Sequence, residues 1–60
     1  MNFNSINEKV DFLKKEGYVV GCDVDGWFYE LDEVDKIYGD WDSLEKVVDD
    51  VLFCDFEYYK

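Results

Sequence analysis

Between Gly17 and Glu33 the chain reads GYVVGCDVDGWFYELDE, alternating apolar and polar residues on either side of an Asp25-Gly26 pair. Alternation with a period of two marks a strand that buries one face. Asp-Gly between two such runs tolerates the positive φ that a two-residue type I′ turn needs at both central positions. The stretch therefore predicts one β-hairpin, and the turn fixes its register. With residues 25 and 26 as the loop, Val24 opposes Trp27, Cys22 opposes Tyr29, Val20 opposes Leu31 and Tyr18 opposes Glu33. Tyr18, Val20, Cys22, Val24, Trp27, Tyr29 and Leu31 then share a core face. The outer face carries Val19, Gly21, Asp23, Phe28, Glu30 and Asp32, a row of carboxylates around a single exposed ring.

A chain of 60 residues makes one domain, 1–60, that buries only about 60% of the surface its unfolded form exposes. Two Trp, five Tyr and five Phe compensate, because each large ring buries about 150–250 Å². Charge works in the opposite direction. Sixteen acids against six Lys, with no His, give −10, and the imbalance is one-sided. Residues 1–22 hold Glu8, Asp11 and Glu16 against Lys9, Lys14 and Lys15 and sum to zero, so the whole deficit falls in residues 23–60. Self-repulsion of that size opposes compaction. It also argues against nucleic acid as a direct ligand, since phosphate binding is driven by Lys and Arg releasing counterions; a basic protein surface is the natural partner. No long apolar run and no basic leader followed by an apolar stretch is present, so the expectation is no membrane span, no secretory signal and a cytoplasmic location. Cys22 and Cys54 suit reduced thiols there better than a disulfide framework.

Ahead of the hairpin, Ser5 and Glu8 form a capping box, and Ile6, Val10 and Leu13 follow on one stripe that Phe3 extends. Lys14 and Lys15 suit the helix C-terminus and Gly17 its C′ position, which predicts a helix over 6–15. After the hairpin, Val34, Ile37 and Tyr38 have the spacing of one or two helical turns ended by Gly39. Asp42 with Glu45 forms a second capping box, and Leu44, Val47, Val48, Val51 and Leu52 recur at helical spacing. Beyond them two readings stand. Continued helix places Phe56 and Tyr59 on the stripe with Asp55 as a misfit, whereas a strand over 53–60 groups Cys54, Phe56 and Tyr58. The fold class is α+β: a short N-terminal helix, a two-stranded antiparallel hairpin and a C-terminal helix, with a third, C-terminal strand as the alternative.

Catalytic constellations are sparse. Without His there is no imidazole base, no Ser-His or Cys-His pair and no imidazole metal ligand. The chain has little room for an apolar pocket that would split the pKa values of two carboxylates. An enzyme is not expected, and no cofactor. Asp23-Val24-Asp25-Gly26 resembles the start of a calcium loop, but Gly falls at the fourth position and Val34 at the twelfth, where that loop needs Gly sixth and an acid twelfth. Cys22-Asp23 and Cys54-Asp55 could together supply zinc with thiolate and carboxylate ligands, against the plainer reading of Cys22 as a small core hydrophobe.

The acidic surface is the functional candidate. Outward residues two apart on a strand are roughly 6.6 Å apart, and helix neighbours three or four apart roughly 5–6 Å; rows of carboxylates at these intervals can imitate a phosphate backbone. The expected partner-binding residues are Asp23, Asp25, Glu30 and Asp32 on the hairpin, Glu33, Asp35, Asp40 and Asp42 beyond it, and Glu45 and Asp49 on the second helix. Phe28 and Trp41 act among them as apolar anchors. The competing reading is a solvated acidic face that serves solubility alone.

Met1-Asn2-Phe3-Asn4-Ser5-Ile6, a short helix, and Gly17-Tyr18-Val19-Val20 entering an acidic hairpin resemble the plan of small phage-encoded anti-CRISPR proteins that imitate DNA on the surface of a Cas nuclease. Asp23-Val24-Asp25-Gly26 leading to Phe28-Tyr29-Glu30, with Ile37-Tyr38-Gly39-Asp40 before a helix, is similar to the small uracil-DNA glycosylase inhibitors of Bacillus phages, although the helix ahead of the hairpin departs from that pattern. Both resemblances imply a phage or mobile-element inhibitor that competes with DNA for a basic cleft on a nuclease or DNA repair enzyme of the host bacterium. Two other classes stand beside it: an assembly protein that forms homodimers through its aromatic surplus, and a zinc-stabilised binding module.

Overall fold

The computed structural model describes residues 2–58. Two helices, α1 (Ile6–Lys15) and α2 (Leu44–Phe56), enclose in sequence three strands, β1 (Tyr18–Asp23), β2 (Gly26–Leu31) and β3 (Val34–Tyr38). The strands form an antiparallel sheet in the order β1-β2-β3, and the fold is α+β. Both helices pack on the inner face of the hairpin made by β1 and β2. No helix among the described residues is long and apolar enough to cross a membrane.

Local chemistry sets the helix boundaries. The Ser5 hydroxyl accepts the N–H of Glu8 at 3.3 Å, which starts α1. The helix ends where Glu16 and Gly17 donate back to its last turn, with Gly17 at φ 93, a region that suits glycine. For α2 the cap is Ser43, whose hydroxyl accepts the N–H of Lys46 at 3.4 Å, rather than the expected Asp42. Either residue type can cap, and the cap falls one residue later than the spacing to Glu45 suggested. The continuous-helix reading holds through Phe56. Glu57 then stops the helix in the left-handed region (φ 54, ψ 36), and the Tyr58 N–H donates to the Leu52 carbonyl at 3.0 Å, closing a Schellman-type end without a glycine. Tyr59, which the periodicity assigned to the same stripe, lies outside the described residues.

The core is the meeting of the predicted stripes. Leu13, Val47, Val48 and Leu52 are fully buried, with Val51 and Tyr18 beside them. A chain of edge-on and tilted rings closes the open end: Phe3 packs on Phe12 and Tyr58, and Phe56 packs on Phe12 and Tyr18 at centroid distances of 5.1–5.6 Å, the geometry that ring quadrupoles favour. Asp55, the misfit of the helical stripe, has a structural partner. Its carboxylate accepts the Tyr18 hydroxyl at 2.6 Å, so the one polar atom of a buried ring is satisfied.

Three further local expectations are corrected. The first is the hairpin loop, which is Val24-Asp25 rather than Asp25-Gly26: Asp23 pairs with Gly26, Cys22 with Trp27, Val20 with Tyr29 and Tyr18 with Leu31. Asp25 has no positive φ; Gly26 alone does, at 117, so the turn is not type I′. The Asp23 carboxylate accepts the Asp25 N–H at 2.9 Å, an Asx turn with Asp in the first place and Gly in the fourth. Moving the loop back by one residue shifts the pairing by two, and a shift of two keeps every side chain on its face. Tyr18, Val20, Trp27, Tyr29 and Leu31 therefore remain inward, while Val24 moves into the loop and is fully exposed. Secondly, Cys22 is exposed rather than a core residue, because it stands next to the loop, at the far end of β1 from buried Tyr18.

The third correction is residues 34–38, which form a strand and not helical turns. Val34 pairs with Leu31 across an Asp32-Glu33 loop, Ile37 with Tyr29 and Tyr38 with Phe28, with a bulge between. A single helical turn closes too few hydrogen bonds to repay its ordering, whereas the open edge of β2 offers a partner for every second backbone group. The third strand of the sheet thus comes from the middle of the chain, not from its C-terminus.

Candidate functional site

The outer face of the sheet is where sequence reasoning placed the site, and its centre turns out to be structural. Asp23 sits at the end of β1 and accepts the Tyr38 hydroxyl at 2.6 Å and the Lys36 ammonium at 3.4 Å, both from β3. These bonds cross over β2 and join the two outer strands. Beneath them lies Phe28, 8% exposed rather than the expected exposed ring. The Lys36 Nζ stands 4.5 Å above its centroid and the Tyr38 ring 5.6 Å away, and its other flank fills the space over Gly21, where a Cβ would come within 3.1 Å of the Phe28 ζ carbon. The Tyr38 hydrogen bond and, after it, the Asp25 N–H hold the Asp23 carboxyl below its usual pKa. Donation to Asp23 in turn pushes the Tyr38 phenol up to about 12. Asp23 and Phe28 are thereby committed to holding the sheet together.

Trp41 is likewise engaged. Its indole N–H donates to Asp50 at 2.6 Å, its ring lies 5.9 Å from Tyr29, and it covers Gly39 closely. Asp49 pairs with Lys9 at 2.9 Å, joining α2 to α1, and Glu45 lines a separate groove with Phe3 and Lys9. Asp25 lies in the β1–β2 loop, at the opposite end of β2 from the β2–β3 loop.

The structure does bring four of the expected acids together. Glu30, Asp32, Glu33 and Asp35 line one open groove of about 530 Å³ at the β2–β3 loop, with Val19 and Val34 as its apolar wall. Asp32, Glu33 and Asp35 are exposed and Glu30 is half-buried; Asp40 and Asp42 are also exposed, in the connection to α2, but follow the end of β3 that lies away from this loop. Glu33 holds φ 69, a region that costs a non-glycine residue roughly 1–2 kcal/mol. The acidic surface is therefore one groove of four acids at the β2–β3 loop, with Asp40 and Asp42 beyond the opposite end of β3, rather than one array running over the hairpin and helix.

Sequence reasoning gave no site role to Lys36, Tyr38, Val34 or Asp50, and weighed Asp55 only as a zinc ligand rather than as the partner of Tyr18. A signal for the first two existed in Gly21, since a glycine inside a strand marks the close approach of a neighbouring group, and that group is Phe28 with its covering. Among the described residues no cluster of three or more Cys, Asp or Glu side chains is placed to hold a metal ion, and both Cys22 and Cys54 are exposed. The aromatic surplus invoked for dimerisation is spent largely on ring-to-ring contacts inside the fold. Compared with protein families, curated proteins and solved structures, the chain matches none of them.

Proposed function

We propose that this protein is an acidic inhibitor that imitates DNA and competes with it for the basic cleft of a nucleic-acid-binding enzyme, such as a Cas nuclease or DNA repair enzyme. The observation that carries the reading is the groove at the β2–β3 loop, where Glu30, Asp32, Glu33 and Asp35 converge beside Val19 and Val34. The backbone that carries these carboxylates, two strand ends and the short loop between them, is already ordered, so binding a basic surface orders side chains but not main chain, which favours affinity. The mechanism is electrostatic: long-range attraction accelerates encounter and weakens steeply as salt shortens the screening length.

The test is capture from a bacterial lysate at low salt on immobilised protein, with elution by competing duplex DNA and a triple variant, Asp32→Asn with Glu33→Asn and Asp35→Asn, as control. The expected result is a set of DNA-binding proteins released by DNA, lost at high salt and reduced on the control. Capture that is indifferent to salt and to DNA would end the proposal.

A further inference from the structure

β3 differs from the rest of the fold in what surrounds it. All five of its residues are exposed, and among the described residues the helices pack on β1 and β2 but not on it. Val34, Ile37 and Tyr38 are 46%, 37% and 41% exposed and take no part in the core. β3 is also a sheet edge, and an edge presents unpaired backbone N–H and C=O groups ready to accept another strand. Proteins blunt such edges with lysine, proline, bulges or short strands, and β3 has five residues and one bulge against β2, so the open ladder is short. Here the chain has no proline, and Lys36 is drawn over Phe28 to Asp23 rather than guarding the edge. β1, the opposite edge, is different: its inner face is covered by both helices and its Tyr18 is buried.

We propose that β3 is a docking edge, to which an extended lysine- or arginine-rich segment of the partner adds as a fourth strand. The inference rests on the reading of the protein as an acidic inhibitor and names how it holds its target. Charge selects the occupant. Asp32 and Glu33 precede the strand, Asp35 lies within it and Asp40 follows it, so every approach to the edge is acidic. A second copy would bring those acids against their own counterparts on a chain of charge −10, and like charges across a strand pair are unfavourable. A basic strand meets opposite charge at both ends and apolar contact at Val34 and Ile37. In strand addition the main-chain bonds give affinity while side chains give specificity, which suits an edge that combines open backbone with charge.

The experiment measures amide hydrogen exchange of the full chain by NMR, at low salt, with two short peptides of equal charge. One alternates lysine with valine, and the other alternates lysine with proline and cannot join a sheet. The lysine-valine peptide is expected to slow exchange of the β3 amides that point away from β2 by about tenfold or more, since exchange reports local protection. The lysine-proline peptide is expected to leave them unchanged. Val34→Thr with Ile37→Thr, which preserves charge and strand propensity and whose folding is checked by circular dichroism, is expected to weaken the lysine-valine peptide about tenfold, roughly 1.4 kcal/mol. Binding of the lysine-valine peptide without protection of β3 overturns strand addition while leaving the acidic-inhibitor reading intact. Failure of that peptide to bind overturns it as well. Protection of β3 in the protein alone, together with sedimentation as a dimer, overturns the basic partner in favour of a second copy.

Discussion

Gly39 gives the sharpest test of how the connection to α2 is held. A Cβ at this position would lie 2.9, 3.0 and 3.1 Å from three atoms of the Trp41 ring, closer than non-bonded carbons approach. The ring cannot simply swing away, because its N–H is bonded to Asp50 at 2.6 Å and its face rests near Tyr29. Gly39→Ala is therefore an overpacking change, costing about 1–3 kcal/mol. Against this stands a gain of about 0.4–1 kcal/mol from restricting the unfolded chain. The net is a loss on the order of 1–2 kcal/mol, and in a domain this small each kcal/mol lowers Tm by about 4–8 °C. The assay is thermal and urea unfolding by circular dichroism in four proteins: the parent, Gly39→Ala, Trp41→Phe and the double variant. Phenylalanine lacks the outer ring that crowds position 39, so in the Trp41→Phe background Gly39→Ala should become neutral or stabilising, a coupling that a double-mutant cycle isolates. An equal cost in both backgrounds would refute the steric account.

Four further outcomes are expected. Leu52→Ala empties a fully buried site in the core and should cost about 2–5 kcal/mol. At about 0.05–0.15 kcal/mol per residue the 60-residue domain holds roughly 3–9 kcal/mol, so the loss takes a large share of it and urea unfolding should show a shortened folded baseline. Tyr38→Phe removes the main cause of the lowered Asp23 pKa. The stability that Asp23 contributes is present above the ordinary carboxylate range and is lost as pH falls through its depressed value. In the variant a carbon-13 titration should find the Asp23 pKa raised and that part of the acid sensitivity gone. Tyr18, pushed up to about 12 by burial first and its bond to Asp55 second, contributes stability that is complete below the ordinary tyrosine pKa and lost as pH rises from there through about 12. Tyr18→Phe should remove one late-titrating phenol from the ultraviolet titration and flatten the alkaline limb. Glu33→Gly relieves the left-handed strain at roughly 1–2 kcal/mol against a glycine entropy cost of about 0.5–1 kcal/mol. It should raise the urea midpoint slightly while weakening capture of basic partners; a lowered midpoint would contradict the strain assignment.

Patterns confined to a few consecutive turns of chain were legible from residues alone. The alternation from Tyr18 to Leu31 specified a hairpin and its inward face. The stripes ending in Leu13 and Leu52 specified both helices and most of the core. These survive because they rest on periodicity and burial, which a loop shifted by one residue does not disturb. The acids of the β2–β3 loop were also legible, since no local feature could bury four carboxylates so close together. What the chain's own order left open were choices between partners distant in sequence. Asp23 and Phe28 read as free surface until Lys36 and Tyr38 were carried over them from β3. Trp41 read as an exposed anchor until Asp50 and Tyr29 were found against it, and Val34–Tyr38 read as helical until the edge of β2 supplied hydrogen bonds. Each is a long-range pairing whose energy depends on geometry assembled by the whole fold, so the composition of the acidic groove belongs to the sequence, while its separation from Asp23, Asp25 and Asp49 belongs to the tertiary structure.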